Sequence, residues 1–371
     1  MARESPIRVC HIVSGDTWGG LEVVVLNLIR AQAARPDVEP SLVVLNEGRL
    51  DRVAREAGIH VRTVPETEMN VWKLARALDR ALSDLAPTII HAHRYKEQFL
   101  SYILAWRHGA KCISTIHGYE PPMALSGRLK FAIWDSINFV LARLARARFV
   151  AVTEDLRQRY RVSSRRCTII PNGIQLQDFD QSSEGRMQDD HSSIPLIGWI
   201  GRMVPVKGLA ILLKAVAQMS SISRSLRVLL VGDGPERPEL EALAERLGIR
   251  DLIQFVGFAP EPRFFLAKMD IFVLPSLNEG IPMALLEALA AGVPVVAAAV
   301  GGIPGMIGDT GAARLVRSSS PEAWAAALTA VIGSPEQSSM MATRGRQLVR
   351  EQFSIESMVN RYFDVYSAAV T

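Results

Sequence analysis

Several things are scarce in this 371-residue chain, and each scarcity excludes something. There are three cysteines, Cys10, Cys112 and Cys167, and none belongs to a C-x-x-C pair. Each sits beside apolar or β-branched residues, so all three are expected to be buried, reduced thiols of a cytoplasmic protein. A disulfide framework or a cysteine metal centre is excluded. Long uninterrupted apolar runs are missing. The most apolar region, 281–307, contains Glu287, several glycines and three prolines, which fits a buried helix plus strand and not a membrane span. A polar stretch at 1–6 passes directly into a strand-like run, so no signal peptide is expected. Aromatic residues make up only 6%. With no stacking platform or recognisable nucleic-acid module, no nucleic-acid partner is expected.

What is present is ordinary globular composition, 49% hydrophobic and 22% charged, at a length that allows two or three domains. The net charge of +4 hides an asymmetry: residues 1–175 carry 25 Lys+Arg against 17 Asp+Glu, whereas residues 176–371 carry 17 against 21. A basic first half points to an anionic partner.

Short apolar runs alternate with helical patterns. Ile7–Val13 is a predicted buried strand, followed by a glycine-rich loop ending in Gly19-Gly20 and a helix over Leu21–Ala33. Strands are expected at Ser41–Leu45, His60–Val64, Thr88–Ala92 and Cys112–Ile116, and helices at Leu50–Ala57, Val71–Leu85 and Glu97–Arg107. This spacing predicts a parallel, doubly wound α/β sheet, in which ligands bind beyond the carboxyl ends of the strands. The Gly19-Gly20 loop, His91, His93 and His117 fall there. Residues 123–148 are helical in pattern and basic (Arg128, Lys130, Arg143, Arg146, Arg148). They read either as helices covering the sheet with a solvated basic face or as an interfacial surface for anionic lipid.

Residues 176–193 are polar and read as an interdomain linker between residues 1–175 and 194–352. The D-x-D at Asp178 and Asp180 lies in that segment with no histidine near it, so no metal is expected there. The alternation then restarts, with strands at Leu196–Ile200, Val228–Val231, Ile253–Val256 and Ile271–Leu274. Residues 353–371 form a last amphipathic helix.

The stretch Asn278–Ala297, NEGIPMALLEALAAGVPVVA, holds the chemistry-bearing residues of the second half. It reads as a loop, a short helix with Pro282 at its first position, and a buried strand. A helix N-terminus binds phosphate through its unpaired N–H groups and partial positive charge. Glu287 lies five residues past Pro282, or roughly 7.5 Å along the helix. Diphosphate at the N-terminus would leave a ribose near Glu287 and a sugar near Glu279. Alternatively, Glu287 is a solvated residue on the edge of a buried helix. Further strand-end loops carry Gly201-Arg202 with Lys207-Gly208, two cations suited to a diphosphate. Others carry Gly232 and Gly234 in a tight G-D-G-P turn, and Gly301-Gly302.

In this order, G-G-x-E, G-R-x4-K-G, G-D-G-P and E-G-x-P-x4-E-A-x-A-x-G-x-P-V-V, the chain resembles the retaining GT-B glycosyltransferases of the family 4 type. The resemblance is strongest over 197–302, and Pro171–Ile174 with Phe179 matches the segment that joins the domains in that family. It implies two Rossmann-like domains facing across a cleft, with the C-terminal helix crossing back to the first domain. It implies that Arg202 and Lys207 hold the diphosphate and stabilise the leaving nucleotide in place of a metal. Glu287 would bind the ribose. Glu279, with the backbone of Gly280, Ile281, Pro282 and Met283, would hold the donor sugar. Gly19, Gly20, Gly232 and Gly234 would approach the nucleotide sugar, and His117 would lie near the anomeric carbon. His117 also reads simply as a strand-end histidine held by a backbone bond. Three positions depart from the pattern: Gln175 where Asp is frequent, Ile281 where Phe is frequent, and Gly305 where Glu is frequent.

The expected activity is transfer, with retention, from a UDP- or GDP-sugar to a glycan or lipid-linked acceptor of cell-surface polysaccharide synthesis. It would need no metal or other cofactor and would proceed in the cytoplasm or on the inner membrane face. A sugar-nucleotide epimerase of the same architecture, or a non-catalytic nucleotide-sugar-binding protein, are the alternatives. The first would isomerise the donor without an acceptor, and the second should have lost Arg202, Lys207 or the glutamate pair.

Overall fold

A computed structural model of the chain describes residues 5–15, 18–118, 136–180, 194–222 and 225–371. The chain divides into two compact units, Met1–Gly173 with Ile355–Thr371, and Ile174–Ser354. Each is built on a fully parallel sheet.

The first sheet runs β3-β2-β1-β4-β5-β6-β7. Its strands are β1 (Ile7–Ser14), β2 (Val38–Leu45), β3 (His60–Thr63), β4 (Ile89–Ala92), β5 (Lys111–Ile116), β6 (Arg148–Ala151) and β7 (Cys167–Ile169). Strand alternation sends successive side chains to opposite faces. Ile12, Val43 and Leu45 join a core with α3 (Val71–Leu85) and α4 (Tyr95–Arg107), represented by Leu78 and Leu104. Val13, Leu42 and Val44 join another core with α1 (Gly20–Ala33) and α2 (Arg49–Glu56), through Val25, Ile29 and Leu50. The three cysteines are buried, and burial pushes the Cys10 and Cys112 thiols up to about 12, which fits inert core thiols.

The second sheet runs β10-β9-β8-β11-β12-β13. Its strands are β8 (Leu196–Ile200), β9 (Arg227–Val231), β10 (Ile253–Gly257), β11 (Ile271–Leu274), β12 (Val295–Ala298) and β13 (Arg314–Val316). Ile197 and Trp199 pack with Leu209, Leu213 and Val216 of a helix over Leu209–Ile222. In both sheets the strand order reverses beside the first strand, between β1 and β4 and between β8 and β11. Such switch points leave a crevice at the carboxyl ends of the strands.

Several expectations shift locally. The strand β13, the short helix Glu154–Arg159 and the helix Ile303–Ile307 were not foreseen; they are too short to show a clear period. Between β10 and β11 the chain forms a single helical turn, Arg263–Leu266. Of the expected linker, residues 181–193 lie outside the described residues. Asp178 lies in a short helical turn, Gln177–Asp180, with Phe179 buried. Among the described residues no helix is long and apolar enough to cross a membrane.

Candidate functional site

In the second unit, the loops after β8 and β11 are stitched together. The Leu277 N–H donates to the Val206 carbonyl at 2.8 Å. Lys207 ends a 3-10 turn, Pro205–Lys207, and its Nζ reaches Oε1 of Glu279 at 2.7 Å. The two side chains keep only 24% and 9% of their accessible surface. The sequence placed these residues 72 positions apart with separate duties, and the structure makes them an ion pair. One ammonium proton serves Glu279, which leaves two donors for another acceptor. Arg202 is exposed on the same β8 loop.

The glycines of this region answer to backbone approach. A Cβ on Gly232 would lie 1.8 Å from the Gly201 carbonyl oxygen, and one on Gly234 would lie 2.3 Å from that of Met203. The G-D-G-P turn is therefore pressed against the Gly201–Met203 segment, where Met203 N–H also donates to the Asp233 carbonyl at 2.8 Å. Gly301 has φ +53°, and a Cβ there would sit 1.9 Å from the Glu279 carbonyl oxygen. That same oxygen accepts from the Gly302 N–H at 3.1 Å. The Gly301-Gly302 turn thus fixes the backbone of Glu279.

The helix after β11 spans Met283–Ala290, and Pro282 is its N-cap, extended at ψ 125°. This corrects the expected first-position proline by one residue. Pro282 still contributes its carbonyl, which accepts from Leu285 and Leu286, but having no N–H it offers nothing to an anion. Gly280, Ile281 and Met283 supply the N–H groups of this segment, and no side chain caps the helix. Ile281 and Met283 are buried. Glu287, the fifth residue of this helix, is half-buried, and burial pushes its carboxyl up to about 7. Arg263 opposes the shift, whereas Asp178 and Glu261 add to it. Arg263 pairs with Asp178 at 2.9 Å and with Glu261 at 3.2 Å. The first aspartate of the D-x-D is therefore taken up by an arginine. Sequence reasoning missed Arg263, and it missed Ser276, a buried hydroxyl without a protein partner on the β11 loop.

In the first unit, Gly19 is the extended N-cap of α1, and Gly20, exposed, is its first residue. No side chain caps this helix either. Glu22 in its first turn is buried and pairs with Arg94. Glu97, buried in the first turn of α4, accepts from the Ser14 N–H at 2.9 Å, and its Oε2 has no partner.

His117 follows β5, and no backbone bond holds it. Its Nε2 meets His93 Nδ1 at 3.1 Å, His93 Nε2 meets His11 Nδ1 at 2.8 Å, and His11 Nε2 meets Gln32 Oε1 at 2.8 Å. His91 bridges Tyr366 at 2.9 Å and Thr115 at 2.7 Å, and Tyr362 caps Thr115 at 3.1 Å. Burial is the first cause that lowers His11 to about 4 and His117 to about 3. His91 and His93 are pushed well down, first by burial, then by His11 and His117 at His91 and by His91, His11, His117 and Arg94 at His93. His11, His91 and His93 offer ring nitrogens within 4.8 Å of one another. All six of those nitrogens already have hydrogen-bond partners, so a metal ion would have to break a satisfied network. Sequence reasoning noted the histidines at strand ends but missed His11, Gln32 and the tyrosines. Tyr362 and Tyr366 project from the last helix, Ile355–Val370, far away in sequence.

Comparison with known proteins agrees with this architecture. Residues 18–178 match the family described as Glycosyltransferase Family 4, and residues 189–348 match Glycosyl transferases group 1. A D-inositol 3-phosphate glycosyltransferase of Segniliparus rotundus is 28% identical over 76% of this chain and 66% of its own length. One from Streptosporangium roseum is 28% identical over 96% of this chain and 90% of its own. A crystal structure of Anabaena HepE in complex with UDP superposes with TM-score 0.83 at 18% identity, covering 98% of this chain and 100% of that one. The fold is GT-B, and the protein is an enzyme of the glycosyltransferase class. Within that class the chain belongs to the family 4 type.

Proposed function

We propose that the protein transfers a sugar from a nucleoside-diphosphate sugar, with a UDP- or GDP-sugar as donor, to a glycan or lipid-linked acceptor, with retention at the anomeric carbon. The observation that carries the reading is the Lys207–Glu279 pair, set on the β8 and β11 loops beside the uncapped start of helix Met283–Ala290. Lys207, Arg202 and the N–H groups of Gly280, Ile281 and Met283 would receive the diphosphate. Glu287 would accept from the ribose hydroxyls, and Glu279 would face the sugar. Gly19 and Gly20 begin an uncapped helix of the first unit whose N-terminus suits an anion, and Gly232 and Gly234 shape the Arg202 loop. The UDP bound to the HepE relative supports a uridine nucleotide.

Charge builds on the leaving diphosphate as the anomeric C–O bond breaks. Cations placed there act in the transition state, where the contact accelerates turnover. In the front-face route favoured here, the acceptor oxygen bonds to the anomeric carbon on the side that the diphosphate leaves. Its proton passes to the departing phosphate oxygen. No protein nucleophile is required, and a chelator should leave turnover intact. The acceptor side would include His117.

The test is a thermal-shift screen of UDP-, GDP- and ADP-sugars, in which the true donor raises the melting temperature by mass action. It is followed by NMR assignment of the product anomer. A product of inverted configuration would overturn retention, and donor isomerisation without acceptor would favour an epimerase. Membrane association belongs to the same proposal. Of the region 123–148, residues 123–135 lie outside the described residues. The helical stretch 136–144 exposes Phe139, Val140 and Leu144, next to Arg143, Arg146 and Arg148. Such a surface suits an anionic lipid face.

A further inference from the structure

The first unit carries a buried polar system that donor binding does not need. Its members come from β1 (His11), α1 (Gln32), the β4 exit (His93), the β5 exit (His117) and the C-terminal helix (Tyr366). We infer that Tyr366, Gln32, His11 and His93 form a hydrogen-bond relay that fixes the tautomer of His117. The relay makes His117 an Nε2–H donor inward and leaves Nδ1 as a bare acceptor.

The polarity follows link by link. Gln32 Nε2 donates to the Tyr366 hydroxyl at 3.0 Å. The amide is thereby oriented, and its Oε1 can only accept, so His11 Nε2 carries the proton of their 2.8 Å bond. A neutral imidazole has one N–H. His11 Nδ1 is therefore an acceptor, and His93 Nε2 must donate to it. His93 Nδ1 is then the acceptor, and His117 Nε2 must donate. What remains is His117 Nδ1, buried and without a protein partner. The second arm agrees: Tyr366, having accepted from Gln32, donates to His91 Nδ1, and His91 Nε2–H donates to Thr115. The rings are tilted only 16° from each other for His11 and His93 and 30° for His93 and His117, with centroids 5.1 and 5.4 Å apart, the edge-to-edge arrangement that in-plane N–H···N bonds require. Burial keeps all four histidines neutral near pH 7, so each ring carries a single N–H.

The relay deepens the reading above, in which His117 lies beside the reacting sugar, and rests on it for its catalytic consequence. Gln32, His11, His93 and Tyr366 are positioning residues: they touch no substrate and act through His117. A reversed relay, with Gln32 turned over, would put a proton on His117 Nδ1 and present a donor instead.

The test uses the full chain labelled with 15N-histidine, of which there are seven. Long-range proton–nitrogen correlations should show Nε2–H tautomers for His11, His93 and His117. Nitrogen–nitrogen couplings across the hydrogen bonds should link His93 to His11 and His117 to His93. A His117 with its proton on Nδ1, or absence of both couplings, overturns the relay. Gln32→Met should give mixed tautomers at His117 and lower kcat by roughly tenfold to a hundredfold, by analogy with metal-bound histidines that lose the partner of their other ring nitrogen, with little change in donor KM. Gln32→Glu, whose carboxylate accepts from His11, should keep the Nε2–H tautomer and most of the turnover. Equal losses in both variants would overturn the proposal. Leu28→Ala, a core truncation on the same helix outside the network, should lower the melting temperature while leaving tautomer and kcat in place. If the wild-type protein transferred no sugar at all, the functional reading would fall, and the NMR result would still decide the relay.

Discussion

Replacing Lys207 by alanine separates two duties of one side chain. At 2.7 Å the gross attraction between Lys207 and Glu279 is about 6 kcal/mol at an effective dielectric of ~20. Desolvation of both groups offsets most of that, because the ammonium keeps 24% and the carboxylate 9% of their exposure. A charge-assisted hydrogen bond contributes about 1.5–3 kcal/mol net. Lys207→Ala should therefore lower stability by about 2 kcal/mol, or roughly 4–8 °C in melting temperature for a unit of this size. Alanine at both positions should cost less than the sum of the single losses, since the second removal also removes the stranded carboxylate. A double-mutant cycle read by urea denaturation should give a coupling of about 1–2 kcal/mol. Turnover should fall further than stability explains, by about 10²–10³, because the remaining ammonium donors are those predicted to act on the leaving diphosphate. A coupling below ~0.3 kcal/mol would refute the ion pair. Turnover near that of the wild type would refute the leaving-group role even if the coupling were found.

Other expectations follow from single contacts. Gly301→Ala forces a Cβ to within 1.9 Å of the Glu279 carbonyl at φ +53° and should cost about 3 kcal/mol or more; a melting temperature within a degree of the parent would contradict the packing of that turn. Glu287, raised from 4.5 to about 7, stays protonated in the folded protein while the unfolded chain ionises. Its contribution is fully present below about pH 4.5, declines through pH 7, and is flat above, by up to about 3 kcal/mol in all. Glu287→Gln should remove that decline from the stability–pH profile, and an unchanged profile would count against the burial assigned to it. Vesicles of anionic lipid should bind the protein in a salt-sensitive way, and Phe139→Ser with Leu144→Ser should weaken that binding. Equal binding to neutral vesicles would remove the electrostatic part of the argument.

The sequence by itself determined the architecture of this protein. Alternating apolar runs and 3.6-period stretches leave a parallel sheet as the arrangement that buries them, and strands in such a sheet deliver their loops to one edge. That is why Gly19-Gly20, His117, Arg202, Lys207, Glu279 and Glu287 could be found as candidates from spacing and resemblance. Local patterns carry no information about which distant loops touch. Only the tertiary structure paired Lys207 with Glu279, gave Asp178 to Arg263, and pressed Gly301 against the Glu279 backbone. Only it joined His11, His93 and His117 into one hydrogen-bonded line, ending at a tyrosine from the last helix. Each of these depends on a polar group finding its partner across long stretches of chain. A buried polar group must find one or lose several kcal/mol, but periodicity records that a residue is buried, not which neighbour satisfies it.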